Sequence, residues 1–161
     1  MNFNDFIIEF TIRFQKAWNT ENMTDLSELV DDDIELAMPK ITFSNRFIQP
    51  QGIKGRKSFI SFVKKLTRNL PMKYHIVERE IGEGKVFKIK IHYYEIDVWC
   101  WFECTLSEYG QYRKLQLLHY EDTHSKKITH MRVARNIIRF KIQQLVKSTS
   151  VHTNLDSSKE S

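Results

Sequence analysis

The chain has 161 residues, 41% of them apolar and 12% aromatic, with a formal net charge of +5. That length is one ordinary domain with material for a real core, and the apolar content excludes disorder for most of it. Two cysteines, Cys100 and Cys104, are too few for a disulfide framework, and no run of about 18 apolar residues is present to span a membrane.

Residues 3–18 read as a helix, with Phe3, Phe6, Ile7, Phe10, Phe14, Ala17 and Trp18 on one face at spacings of three and four. The start lacks a basic segment and a cleavage site, so no signal peptide is expected. A short helix follows at about 24–30, capped by Asn22 or Thr24 and ended by Asp31, Asp32 and Asp33. Ile34, Leu36 and Met38 alternate with other residues in a short strand closed by Pro39. Residues 40–51 read as a loop with an extended segment at 41–43. A third helix is expected over 54–70, its apolar set Phe59, Ile60, Phe62, Val63, Leu66 and Leu70, with Pro71 closing it.

The period then changes from 3.6 to two. Strands are expected at 74–81, 85–95, 98–106 and 112–122, joined by the turns Gly82-Glu83-Gly84, Ile96-Asp97 and Ser107 to Gln111. Three consecutive hairpins make an antiparallel meander. A final helix is expected at 127–147, with one apolar stripe through Ile128, Met131, Ala134, Ile138, Ile142 and Leu145 and a second through Val133, Ile137 and Phe140. Two stripes mean cover from two directions, one from the domain and one from a second subunit. The division expected is a domain over 1–123, an amphipathic basic helix over 124–147 and a disordered tail over 148–161.

The order of these elements resembles the SnoaL-like branch of the nuclear transport factor 2-like superfamily. The marks are Trp18-Asn19 before the short helix, Pro39 after the first strand, Gln51-Gly52-Ile53-Lys54-Gly55 before the third helix, and Leu117-Leu118-His119-Tyr120-Glu121-Asp122 in the last strand. The resemblance implies an α+β fold in which a cone-shaped, curved antiparallel sheet wraps three N-terminal helices, a cystatin-like arrangement, with the C-terminal helix as an addition. It also implies an apolar pocket for a small molecule, a homodimer through the sheet face, and acid/base chemistry of the isomerase, cyclase, dehydratase or hydrolase kind. A non-catalytic dimerising module is the other reading.

His119 and Glu121 share one face of the last strand, Tyr120 and Asp122 the other. The row carrying Leu115 and Leu117 is the more apolar, so His119 and Glu121 are favoured as the pair that faces the cone, where they could tune each other for proton transfer. Tyr120 and Asp122 belong to the second register. The expected pocket wall is Phe14, Trp18, Phe62, Tyr93, Leu117 and Trp101. His75 is a weaker candidate, and Asp31 to Asp33 could supply a base. Trp99 and Trp101 line the pocket if they face inward and mark a subunit interface if they face outward.

No metal-ligand spacing and no P-loop, GxGxxG, GxSxG or HExxH motif occurs, so no cofactor is expected. Residues 126–147 carry Lys126, Lys127, Arg132, Arg135, Arg139, Lys141 and Lys147 with no acid, and 54–68 is also basic. Such runs can meet nucleic acid or an anionic membrane, but the plainer reading is a solvated helix face. Without interleaved aromatics, nucleic acid is not the expected partner, nor is a membrane. Cys100 and Cys104 read as small buried residues in a reducing, cytoplasmic setting.

Overall fold

The structure, a computed structural model, describes residues 2–38 and 52–159. Pro39 and the loop expected over 40–51, with its extended segment, lie outside the described residues.

Helix α1 (Phe3–Asn19) is capped by Asn2, whose side-chain oxygen accepts from the Asp5 amide at 2.8 Å. It buries Ile7, Phe10, Thr11, Phe14, Ala17 and Trp18. Thr11 is polar but satisfied: its hydroxyl donates to the Ile7 carbonyl and accepts from Arg79 Nε. Of the two candidate caps for α2 (Met23–Glu28), Asn22 is the one used.

Strand β1 (Val30–Ala37) begins earlier than its alternation predicts. Asp31, Asp32 and Asp33 lie within the strand instead of closing the helix. Buried Val30 anchors its start beside Tyr112, and the register with the last long strand shifts between Val30 and Glu35, leaving the three acids toward solvent. Arg56 secures this stretch, donating through Nε and Nη2 to the Val30 carbonyl and pairing with Asp32. The glycine-led segment before the third helix forms strand β2 (Gly52–Lys54), antiparallel to β1, so Lys54, expected as the first helical residue, is in a strand. Helix α3 (Arg56–Asn69) starts only after Gly55.

The meander follows as expected: β3 (Tyr74–Ile81), β4 (Val86–Tyr93), β5 (Val98–Leu106) and β6 (Tyr112–Glu121), each antiparallel to the next. Lys127 and Ile128, expected in the last helix, form a two-residue strand β7 against β6. Helix α4 (His130–Lys159) starts later than predicted and continues past Lys147 into the segment whose composition reads as a tail. The strand order is β2-β1-β6-β5-β4-β3, and β1 runs parallel to β6, so the curved, unclosed sheet is mixed rather than wholly antiparallel. The fold is α+β and cystatin-like, with helices against one face of the sheet.

Strand β3 is an edge, and α1 serves its open backbone groups. Asn19 both donates to the Tyr74 carbonyl and accepts from the Tyr74 amide, and Gln15 accepts from the Ile76 amide. These contacts fix α1 across the concave side, where Trp18 Nε1 donates to the Met72 carbonyl at 2.9 Å. The turn between β5 and β6 docks on the other end of α1. Gly110 there has φ 73°, and a Cβ on it would stand 2.9 Å from the Phe6 ring. Gly110→Ala is therefore expected to lower stability by about 1–2 kcal/mol, the cost of a left-handed backbone for an L-residue; denaturant titration measures it.

Candidate functional site

Curvature leaves a hollow on the concave side of the sheet, with a volume of about 280 Å³. Helix α1 contributes Phe14 and Trp18 to its wall, and α3 contributes Phe59, Phe62, Val63 and Leu66. The sheet supplies Ile89, Ile91, Tyr93, Phe102, Leu115 and Tyr120 among others, and α4 closes it with His130, Val133, Ala134 and Ile137. An engineered apolar cavity of about 150 Å³ is enough to take up benzene. The space here is nearly twice that, the size for a one- or two-ring skeleton.

The polar groups in this apolar shell are few. Tyr74, Tyr93 and Tyr120 are buried and line the space. Their hydroxyls make no hydrogen bond to another described residue. Among the described residues the one sealed side-chain polar atom without a partner is Asn136 Oδ1, not a tyrosine hydroxyl. Burial pushes each of these phenols above its ordinary value, so they stay protonated and offer O–H donors. His130, the first residue of α4, sets its ring edge-on to Tyr120 with centroids 4.8 Å apart. Burial lowers its pKa, which keeps the imidazole neutral at pH 7.

The predicted residues divide between the two faces of the sheet. Phe14, Trp18, Phe62, Tyr93 and Tyr120 line the hollow. Leu117 is buried in the core beside the wall, paired with Phe102. His119 and Glu121, favoured as the inward pair, are on the outer face, and so is Trp101. The structure does bring the pair together: His119 Nε2 lies 2.7 Å from Glu121 Oε2, and Lys90 Nζ lies 3.0 Å from Glu121 Oε1. Lys90 also stands over the Trp101 ring at 5.9 Å. The physical reason is a bulge. Trp101 pairs with His119 but Phe102 pairs with Leu117, so Leu118 is an extra residue in β6 and the alternation slips by one. Leu115 and Leu117 face in, and beyond the bulge it is Tyr120 that faces in. Neither uninterrupted register was right.

Asp122 lies outside the hollow. Its Oδ1 accepts from the amides of His124 and Lys126 and shapes the turn into β7. These bonds, led by that from Lys126, hold its carboxyl below the ordinary value. Asp122 borders a separate polar groove of about 430 Å³ beside α4. His75 is on the outer face, its ring edge-on to His92 and stacked with Tyr94; His92 in turn stacks on Trp99 at 4.0 Å. Asp31 to Asp33 do not reach the hollow. Among the described residues no cluster of His, Cys, Asp and Glu could hold a metal ion. Sequence reasoning missed Tyr74 and His130. The alternation of β3 could have found Tyr74, which pairs with Tyr93. Nothing local marks His130, which reaches the wall through the turn that precedes α4.

No family model and no curated protein matches the sequence. Solved structures do match in fold. A SnoaL-like protein of unknown function from Burkholderia thailandensis superposes with TM-score 0.61 at 13% identity, covering 74% of this chain and 98% of its own. A protein named Bal32a, from a soil-derived mobile gene cassette, gives 0.59 at 16% identity, with 75% and 93% covered. A Mycobacterium tuberculosis protein solved in complex with estradiol-17beta-hemisuccinate gives 0.56 at 10% identity, with 68% and 90% covered. At these identities the likeness is one of fold.

Proposed function

From the SnoaL-like, nuclear transport factor 2-like fold that this chain has, we propose that the protein binds a small, largely apolar, ring-bearing molecule that carries a hydrogen-bonding oxygen. The observation that carries this reading is the hollow of about 280 Å³, apolar except for His130 and tyrosine hydroxyls that have no hydrogen-bond partner among the described residues. An apolar shell with a few convergent polar groups is the usual form of a ligand site. The complex of the Mycobacterium tuberculosis protein with a ring-bearing molecule supports the same class. Tyr74, Tyr93 and Tyr120 act as donors toward the oxygen, and Phe14, Trp18 and Phe62 supply area to the rings.

Recognition without catalysis is the first reading, resting on the tyrosine donors in an otherwise largely apolar wall. A second, enzymatic reading rests on neutral His130, which could accept a proton next to Tyr120; turnover lost in His130→Gln would establish it. A homodimer is expected through the outer sheet face, where half-buried Trp99 and Trp101 lie. The buried free thiols of Cys100 and Cys104 suit a reducing cytoplasm.

The test is thermal melting with naphthalene and 2-naphthol, a matched two-ring pair with and without a hydroxyl. A ligand at a hundred times its Kd stabilises by about 2.7 kcal/mol, which raises the Tm of a domain this size by roughly 5–11 °C. The expected result is a larger shift with 2-naphthol, reduced to the naphthalene value in Tyr93→Phe/Tyr120→Phe. Leu115→Trp, which fills the hollow, should abolish both shifts. No shift with a panel of one- and two-ring compounds would overturn the reading.

A further inference from the structure

Helix α4 presents two apolar faces on opposite sides, and the domain covers only one. Val133, Ile137 and Phe140 pack on the core and the cavity. Helical spacing puts Met131, Ile138, Ile142 and Leu145 on the opposite side, with Val146 widening that stripe. Their exposures decide the matter: Ile138 is 58% exposed, Ile142 55% and Leu145 68%. Isolated exposed apolar residues need no explanation, but a row of them along one side of a single helix does.

The flanks of the stripe are cationic. Arg132 and Arg139 run along one side, Lys141 stands on the other and Arg135 lies within the stripe beside Met131, all exposed, and no acid occurs from residue 126 to 147. We propose that α4 docks by this stripe on an anionic lipid surface. Charge selects that occupant. Against a second copy of the same helix, Arg132, Arg139 and Lys141 would sit at the positions that flank a helix–helix seam and meet their own kind. An acidic partner helix would find Arg135 inside the seam, between Met131 and Ile138. At a lipid interface that side chain, like its neighbours, can lay its methylenes along the apolar layer and carry its charge up to the headgroups. A lengthwise apolar stripe edged by Lys and Arg is the pattern of a helix that lies in such an interface. The basic run therefore reads as more than a solvated face, because its apolar side is left uncovered. The helix that closes the cavity would then also be the one that touches the membrane.

The experiment is sedimentation of the full chain with vesicles of pure phosphatidylcholine and with vesicles carrying about one-third phosphatidylserine, at low and high salt. The expected result is binding to the anionic vesicles at least about tenfold above the neutral ones, falling several-fold as salt rises. Ile142→Glu/Leu145→Glu and Arg135→Glu/Arg139→Glu should each abolish it. All four side chains point to solvent, so circular dichroism should stay that of the parent. Tyr93→Phe/Tyr120→Phe should bind vesicles as the parent does, which separates this surface from the cavity. Equal binding to neutral vesicles, no binding to either, or unchanged binding by the stripe variant would overturn the proposal. So would a dimer that the stripe variant converts to a monomer in the absence of lipid affinity.

Discussion

Phe87→Ala is expected to lower the melting temperature by roughly 6–20 °C, and Phe62→Ala by much less, although both remove the same side chain. Phe87 is 1% exposed, sits opposite Cys104 on the inner face of the sheet, and stacks against Tyr112 with centroids 6.2 Å apart. Atoms surround it on every side. Its removal forfeits the transfer energy of the ring and leaves a cavity the rigid strands cannot close, about 3–5 kcal/mol in all. At about 2–4 °C per kcal/mol for a domain of this size, that gives the stated range. Phe62 is half-buried and faces the existing hollow. On that side it has no partner atoms to lose, so its truncation enlarges a void more than it creates one. Calorimetry of the two variants measures the difference. Equal losses would mean that the hollow closes around Phe62 in solution, and the ligand reading would fall with it.

Glu121→Gln should destabilise the protein by about 1–3 kcal/mol and leave ligand uptake unchanged. Glu121 is 7% exposed, yet it holds both Lys90 and His119. Gln keeps the shape and removes the charge, which leaves the Lys90 ammonium without its counter-ion at a site where little water reaches it. Burial alone would push the Glu121 carboxyl up; the hydrogen bonds and charges of His119 and Lys90 outweigh that and hold it below its ordinary value of 4.5. A carboxyl with a depressed native pKa adds stability that is present above the unfolded value and lost as pH falls through the native one. The gap between the parent and Glu121→Gln should therefore be full at pH 7 and narrow on acidification below 4.5. Chemical denaturation across that range measures it. A gap independent of pH would assign the loss to shape instead of charge. Loss of 2-naphthol binding in the same variant would place Glu121 in the cavity chemistry after all.

Most of the elements were legible in the sequence because they rest on short-range periodicity. The stripe of α1 and the alternation Phe87, Ile89, Ile91, Tyr93 are written in the spacing of apolar residues, and β3 and β5 begin and end where that spacing predicts. The turns at Gly84 and Gly110 follow from a backbone that only glycine adopts readily. The resemblance drawn from that order of elements agrees with the fold. The three acids before Ile34 misled because strand membership there comes from pairing with β6, which lies some 80 residues away in sequence.

The candidate site was legible only in part. Phe14, Trp18, Phe62 and Tyr93 belong to regular elements, so their inward side follows from period alone. His119, Tyr120 and Glu121 sit beyond a bulge, and a bulge is a compromise between two strands that neither sequence states by itself. One extra residue, Leu118, sent the expected acid/base pair to the outer face and brought Tyr120 in. The two stripes of α4 were readable as stripes, but which one closes the cavity and which stays open depends on the direction in which β7 delivers the helix to the cone. The main helices, the meander and the apolar character of the interior follow from local sequence, because they depend on neighbours within a few positions. Which polar groups meet inside and which helix face stays free depend instead on registers between strands and on the path of a turn, neither of which is written in any one segment.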